Sequence, residues 1–121
     1  MALKVSSYNS TALQHKIVYQ STVTQTAAVD VLGSSGTLHS LHCHNSHSAT
    51  IYLKVYLSSD KYVAATSEPD LMFSMPATTQ KEFHLPSGLA FSQLTFWANS
   101  ASATSSTAAP GGTVLLTAIC Q

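Results

Sequence analysis

Five side chains able to ligate a metal or move a proton fall within one short stretch: His39, His42, Cys43, His44 and His47. In an extended chain, His42-Cys43-His44 places both imidazoles on one face and the thiol on the other. His-x-His spacing suits a transition metal when a third ligand arrives from a neighbouring strand or a symmetry mate. No carboxylate stands beside it in sequence to orient the rings. With Leu41 and Cys43 turned to the core, His42 and His44 read as half-exposed sheet residues or interface hydrogen-bonders, beside Tyr52 and Lys54 of the adjoining strand. No metal and no cofactor is assigned to them.

Other chemistries find less support. Nucleophilic catalysis needs a Ser or Cys activated by a His and oriented by an acid. Gly-x-Ser-x-Gly is absent, and strand geometry points Cys43 away from its flanking histidines. Glu68 and Asp70 lie close together, but in a Glu-Pro-Asp sequence with the chemistry of a turn. Gly33-Ser34-Ser35-Gly36 lacks the following Lys and helix of a phosphate loop. The expectation is therefore a protein that is not an enzyme. Aromatic side chains offer binding surface instead. Trp97 is out of phase with Leu94, Phe96 and Ala98, so it either faces out as an interface or glycan-stacking residue, or fills the second side of the sheet. The expected partner or oligomer interface comprises His42, His44, Tyr52, Tyr56 and Trp97.

The composition behind these residues is unusual. Charged residues make up 8% of the 121, against about 25% in ordinary domains, while hydrophobic residues make up 45%. Arg is absent, net charge is zero, and polarity comes from 19 Ser and 14 Thr. Five scattered lysines cannot neutralise a phosphate backbone, which excludes nucleic acid as a partner. No apolar run reaches the roughly 18 residues of a spanning helix, so no membrane partner is expected. The N-terminal residues lack the apolar core of a secretory signal, which predicts folding in the cytosol where the chain is made. Cys43 and Cys120 are too few for a disulfide framework and are expected as free, buried thiols. Near-zero net charge favours association.

The elements that would position these residues are strands. Period-two alternation puts Ile51, Leu53, Val55 and Leu57 on one face, with Tyr52, Lys54 and Tyr56 on the other. Val114, Leu116, Ala118 and Cys120 form a second inward set. Leu71, Phe73 and Met75, then Phe83 and Leu85, then Leu94, Phe96 and Ala98 form three more. Residues 16–23 and 38–44 read as two further strands. Turn clusters such as Asn45-Ser46-His47-Ser48, Pro86-Ser87-Gly88 and Pro110-Gly111-Gly112 fall between them. Residues 99–109 read as a long Ser/Ala/Thr loop. The expected fold is all-β: one antiparallel β-sandwich, jelly-roll or Ig-like, of seven to eight strands over residues 16–121. Residues 1–15 are expected to be an N-terminal arm that orders against a neighbour, with Leu3, Val5 and Tyr8 as its docking side chains.

From residue 37 onward the order of motifs has a counterpart. A strand closed by Asn45 precedes Tyr52-Leu53-Lys54-Val55-Tyr56, then Leu71-Met72-Phe73-Ser74-Met75-Pro76 and Phe83-His84-Leu85-Pro86. Gly88-Leu89-Ala90-Phe91-Ser92, an aromatic-containing strand, a Ser/Thr/Ala loop and a final apolar strand complete it. This pattern resembles the small β-sandwich virion proteins of tailed bacteriophages, which act as capsid decoration (cement) or other particle-surface proteins. The resemblance implies a non-enzymatic structural protein at the capsid surface of the virion. Its partners would be the major capsid protein and further copies of itself, as a dimer or trimer. The second expectation is a tail- or neck-associated virion protein that binds host glycans through Trp97 and the tyrosines.

Overall fold

A computed structural model describes residues 3–7 and 16–121, with no helix among them. The alternating segments form eight antiparallel strands: β1 (Leu3–Ser7), β2 (Lys16–Gln20), β3 (Gly36–Asn45), β4 (Ile51–Tyr56), β5 (Leu71–Met75), β6 (Thr79–Phe91), β7 (Thr95–Asn99) and β8 (Val114–Cys120). They make a five-stranded sheet in the order β1-β2-β8-β3-β6 and a three-stranded sheet in the order β5-β4-β7. The two sheets pack face to face as a β-sandwich. Of the expected arm, Leu3–Ser7 pair with β2 as an edge strand; Tyr8 lies outside the described residues.

The inward sets meet as the alternation requires. Val18, Leu38, Leu41, Cys43, Leu116, Ala118 and Cys120 line the inner face of the larger sheet, and Ile51, Leu53, Val55, Met75, Phe96 and Ala98 that of the smaller one. All are buried, so apolar area leaves water from both sheets at once. Phe73 and Phe83 stack at 4.1 Å where β5 and β6 come together. Cys43 lies opposite Leu116 on β8, and Cys120 lies opposite Leu38 on β3. Four residues of strand therefore separate the cysteines, about 13 Å at 3.3 Å per residue. That is well beyond disulfide reach, and both thiols are free.

Two elements differ from the sequence expectation. Pro86-Ser87-Gly88 does not separate two strands. It sits within the 13-residue β6, where Leu38 pairs with Leu89 but Ser40 pairs with His84. Residues 85–88 thus bulge out opposite His39, and Gly88 supplies the positive φ of +73° that the bulge needs. The second difference is in strand pairing. β3 lies between β8 and β6, whereas β4 lies between β5 and β7. Consecutive strands β3 and β4 therefore belong to different sheets.

Candidate functional site

The outer face of the smaller sheet is covered over β4 and β7, while Met72 and Ser74 of β5 stay exposed beside it. Tyr52, Lys54 and Tyr56 of β4 and Thr95, Trp97 and Asn99 of β7 share its outer face, and all but Tyr52 are buried. Two loops do the covering. Tyr62 lays its ring 4.8 Å from Trp97 and edge-on to Tyr56 at 5.8 Å. Lys54 Nζ donates to Asn99 Oδ1 at 2.9 Å and to Ala103 O at 2.7 Å, and Asn99 Nδ2 donates to Ala108 O at 3.0 Å. Burial lowers the Lys54 pKa from its ordinary value. Trp97 at 3% exposure and Tyr56 at 6% are thus packing residues, not a stacking platform. The expected shared face of His42, His44, Tyr52, Tyr56 and Trp97 does not exist: the histidines and the aromatics belong to opposite sheets.

The outer face of the five-stranded sheet is different. Among the described residues, no loop lies across it. One row of cross-strand partners runs Lys4, Tyr19, Thr117, His42, Glu82 from β1 to β6. A second brings together Ile17, Ile119, Ser40 and His84, and a third Leu115, His44 and Gln80. His42 Nε2 is 3.2 Å from Gln80 Oε1, and His84 Nε2 is 3.4 Å from Glu82 Oε2. Four inter-strand gaps at about 4.8 Å make the face roughly 19 Å wide. Lys4 and Glu82 stand at opposite margins, with Ile17, Tyr19, Thr117, Ile119 and His42 between them.

Among the described residues no three His, Cys, Asp or Glu side chains come together as a metal-binding set. Cys43 lies on the far side of β3 from His42 and His44, and burial pushes its thiol up to about 12; burial also raises Cys120 to about 11 despite the nearby Lys16. Neither supplies thiolate near neutral pH. A shallow cleft of about 350 Å³ opens between Leu57, Ser58, Asp70, Leu71, Leu89 and Ala90. Its one carboxylate is already engaged: Asp70 accepts from the Leu57 N–H at 2.6 Å and from Ser58 Oγ at 3.2 Å. Among the described residues, no helix is long and apolar enough to cross a membrane.

The sequence located His42 and His44 on an exposed face but missed the residues that complete it: Ile17, Tyr19, Gln80, Glu82, His84, Thr117 and Ile119. Strand parity alone could have exposed Thr117 and Ile119, since both alternate with the inward set of β8. An all-β sandwich of two antiparallel sheets, with loops over part of the smaller one, is the class of molecule that the fold defines. Compared with known protein families, curated proteins and solved structures, the chain matches none.

Proposed function

We propose that this chain is a non-enzymatic virion structural protein, a decoration protein that docks on the outer surface of a phage capsid through the outer face of its five-stranded sheet. The observation that carries this reading is the asymmetry of the sandwich: loops bury β4 and β7 on the outer face of the smaller sheet, and among the described residues no loop does the same for the larger sheet. A face roughly 19 Å wide is of the order needed to contribute to the ~800 Å² that each partner buries in a standard protein interface. Its apolar and hydroxyl-bearing centre suits neutral hydrogen bonds and burial, which depend little on salt. Many copies on a lattice convert modest single contacts into stable attachment. The second reading, a tail- or neck-associated glycan binder, would not use Trp97, which is buried under Tyr62.

The experiment is a binding assay on capsids lacking the protein, read by electron microscopy and sedimentation. Thr117→Arg places a guanidinium at the centre of the face, where an inserted charge would be desolvated. Binding should fall at least about tenfold, a loss of about 1.4 kcal/mol, with the thermal midpoint unchanged. Lys61→Glu, an exposed change outside the face, should bind as wild type. Equal binding by Thr117→Arg and wild type would exclude this face as the docking surface, and no wild-type binding would exclude decoration.

A further inference from the structure

β1 is the terminal strand of the larger sheet, opposite the end that lies against β5. The outer edge of β7 is taken by segment 24–31: Ala28 N–H donates to Phe96 O at 2.9 Å, Ala98 N–H to Thr24 O at 3.0 Å and Val31 N–H to Leu94 O at 2.9 Å. β5 and β6, the terminal strands of the two sheets, have no backbone ladder between them but lie against each other through the Phe73–Phe83 stack and the donation of Lys81 Nζ to Ser74 O at 3.2 Å. Among the described residues, nothing pairs with the outer edge of β1. An unpaired edge presents a row of backbone donors and acceptors, ready to template another strand.

The side chains of β1 add a second observation. Leu3 lies opposite Gln20, and Val5 lies opposite Val18. Gln20 and Val18 point into the core and are 1% and 0% exposed, so Leu3 and Val5 share the core side of the sheet. Yet Leu3 is 40% and Val5 is 44% exposed. The core-facing pattern continues onto β1, where none of the described residues covers Leu3 and Val5 as the small sheet covers Val18.

We infer that this edge takes a second copy of the chain, β1 against β1, antiparallel about a twofold axis through Val5. An antiparallel strand pair about such an axis is self-complementary, because each copy offers the same edge. Charge selects the register. Centred on Val5, Lys4 faces the partner's Ser6 and Leu3 faces the partner's Ser7. Centred on Lys4, two ammonium groups would stand directly opposite, which is unfavourable. In the Val5 register the two valines form a β-branched cross-strand pair, with Leu3 of each copy diagonal to it. The uncovered apolar side chains become one stripe on one side of a ten-stranded sheet. Zero net charge means no long-range repulsion opposes the approach. A five-residue strand pair is small against a standard interface of about 1,600 Å², so the dimer is reversible in solution. Edge-to-edge pairing leaves the outer sheet face open, so this inference stands apart from what that face binds.

Sedimentation velocity of the full chain over a concentration series tests the pairing. Wild type should show a reversible monomer–dimer equilibrium. Val5→Lys and Val5→Asp, each placing like charges on the axis, should be monomeric alone with wild-type thermal midpoints, and should dimerise again when mixed. A wild-type chain that stays monomeric, or a Val5→Lys chain that dimerises as wild type does, overturns the proposal. Crosslinking checks the register without relying on charged variants. Val5→Cys should form a disulfide-linked dimer faster than Lys4→Cys, and the native thiols, both buried, do not compete. Faster crosslinking by Lys4→Cys overturns the Val5 axis.

Discussion

Lys54 and Leu53 are neighbours on β4 with opposite orientations, and both are fully buried. Leu53 fills the gap between the sheets, so Leu53→Ala should cost about 2–5 kcal/mol through lost burial and the cavity left behind. Alternation assigns Lys54 to the solvent side, where truncation would cost little. The structure reverses that expectation, since the ammonium is held by Asn99 Oδ1 and Ala103 O beneath a loop. Lys54→Ala should therefore destabilise by about 1–3 kcal/mol, because the buried Asn99 Oδ1 and the part-buried Ala103 O lose their donor. Urea titration of the two variants checks both values, and a Lys54→Ala midpoint equal to wild type would mean the loop leaves this face open in solution.

At the scale of elements, the bulge in β6 is the least replaceable feature of the large sheet. Gly88 has a φ of +73°, and a Cβ there would run into Thr37 Cγ2 and the ring of His39. Gly88→Ala should cost about 1–3 kcal/mol from backbone strain, with steric displacement of Thr37 in addition. The urea midpoint should fall with an unchanged slope, since the unfolded state exposes the same surface. A neutral substitution would show that β6 can run straight past β3. The bulge also sets the phase of β6: Gln80, Glu82 and His84 reach the outer face on the same side as His42 and His44.

For the whole molecule, buried thiols make stability depend on alkaline pH. Burial raises Cys43 from 9.0 to about 12 and Cys120 from 9.0 to about 11. The folded state therefore holds protons that the unfolded state releases. Stability from these groups is complete below pH 9 and is lost as pH rises from there toward about 12. Tyr62, raised by burial, acts in the same direction above its ordinary value of 10.0. Lys54 opposes them: its lowered pKa means that raising the pH toward 10.5 relieves the cost of a buried ammonium. Two thiols and a phenol outweigh one amine, so the thermal midpoint should drop from about pH 9 upward. Cys43→Ala should flatten that drop, and an equal drop in the variant would rule out the thiol as its source.

The sequence by itself determined the class of the fold. Alternation of period two is local, and it assigned Leu53, Val55, Leu116 and Ala118 to a core, and His42 and His44 to an outer surface, without any tertiary information. It also separated Cys43 from its histidine neighbours. Tertiary structure decided which strands are neighbours and which faces are covered. β3 pairs with β8, more than sixty residues away, and not with β4, because hydrogen-bond partnership carries no local signal. Trp97, Tyr56 and Lys54 were placed correctly by parity on the outer side of their sheet. They are buried because Tyr62 and the loop bearing Ala103 fold across them, and loops have no period by which a sequence could announce what they cover.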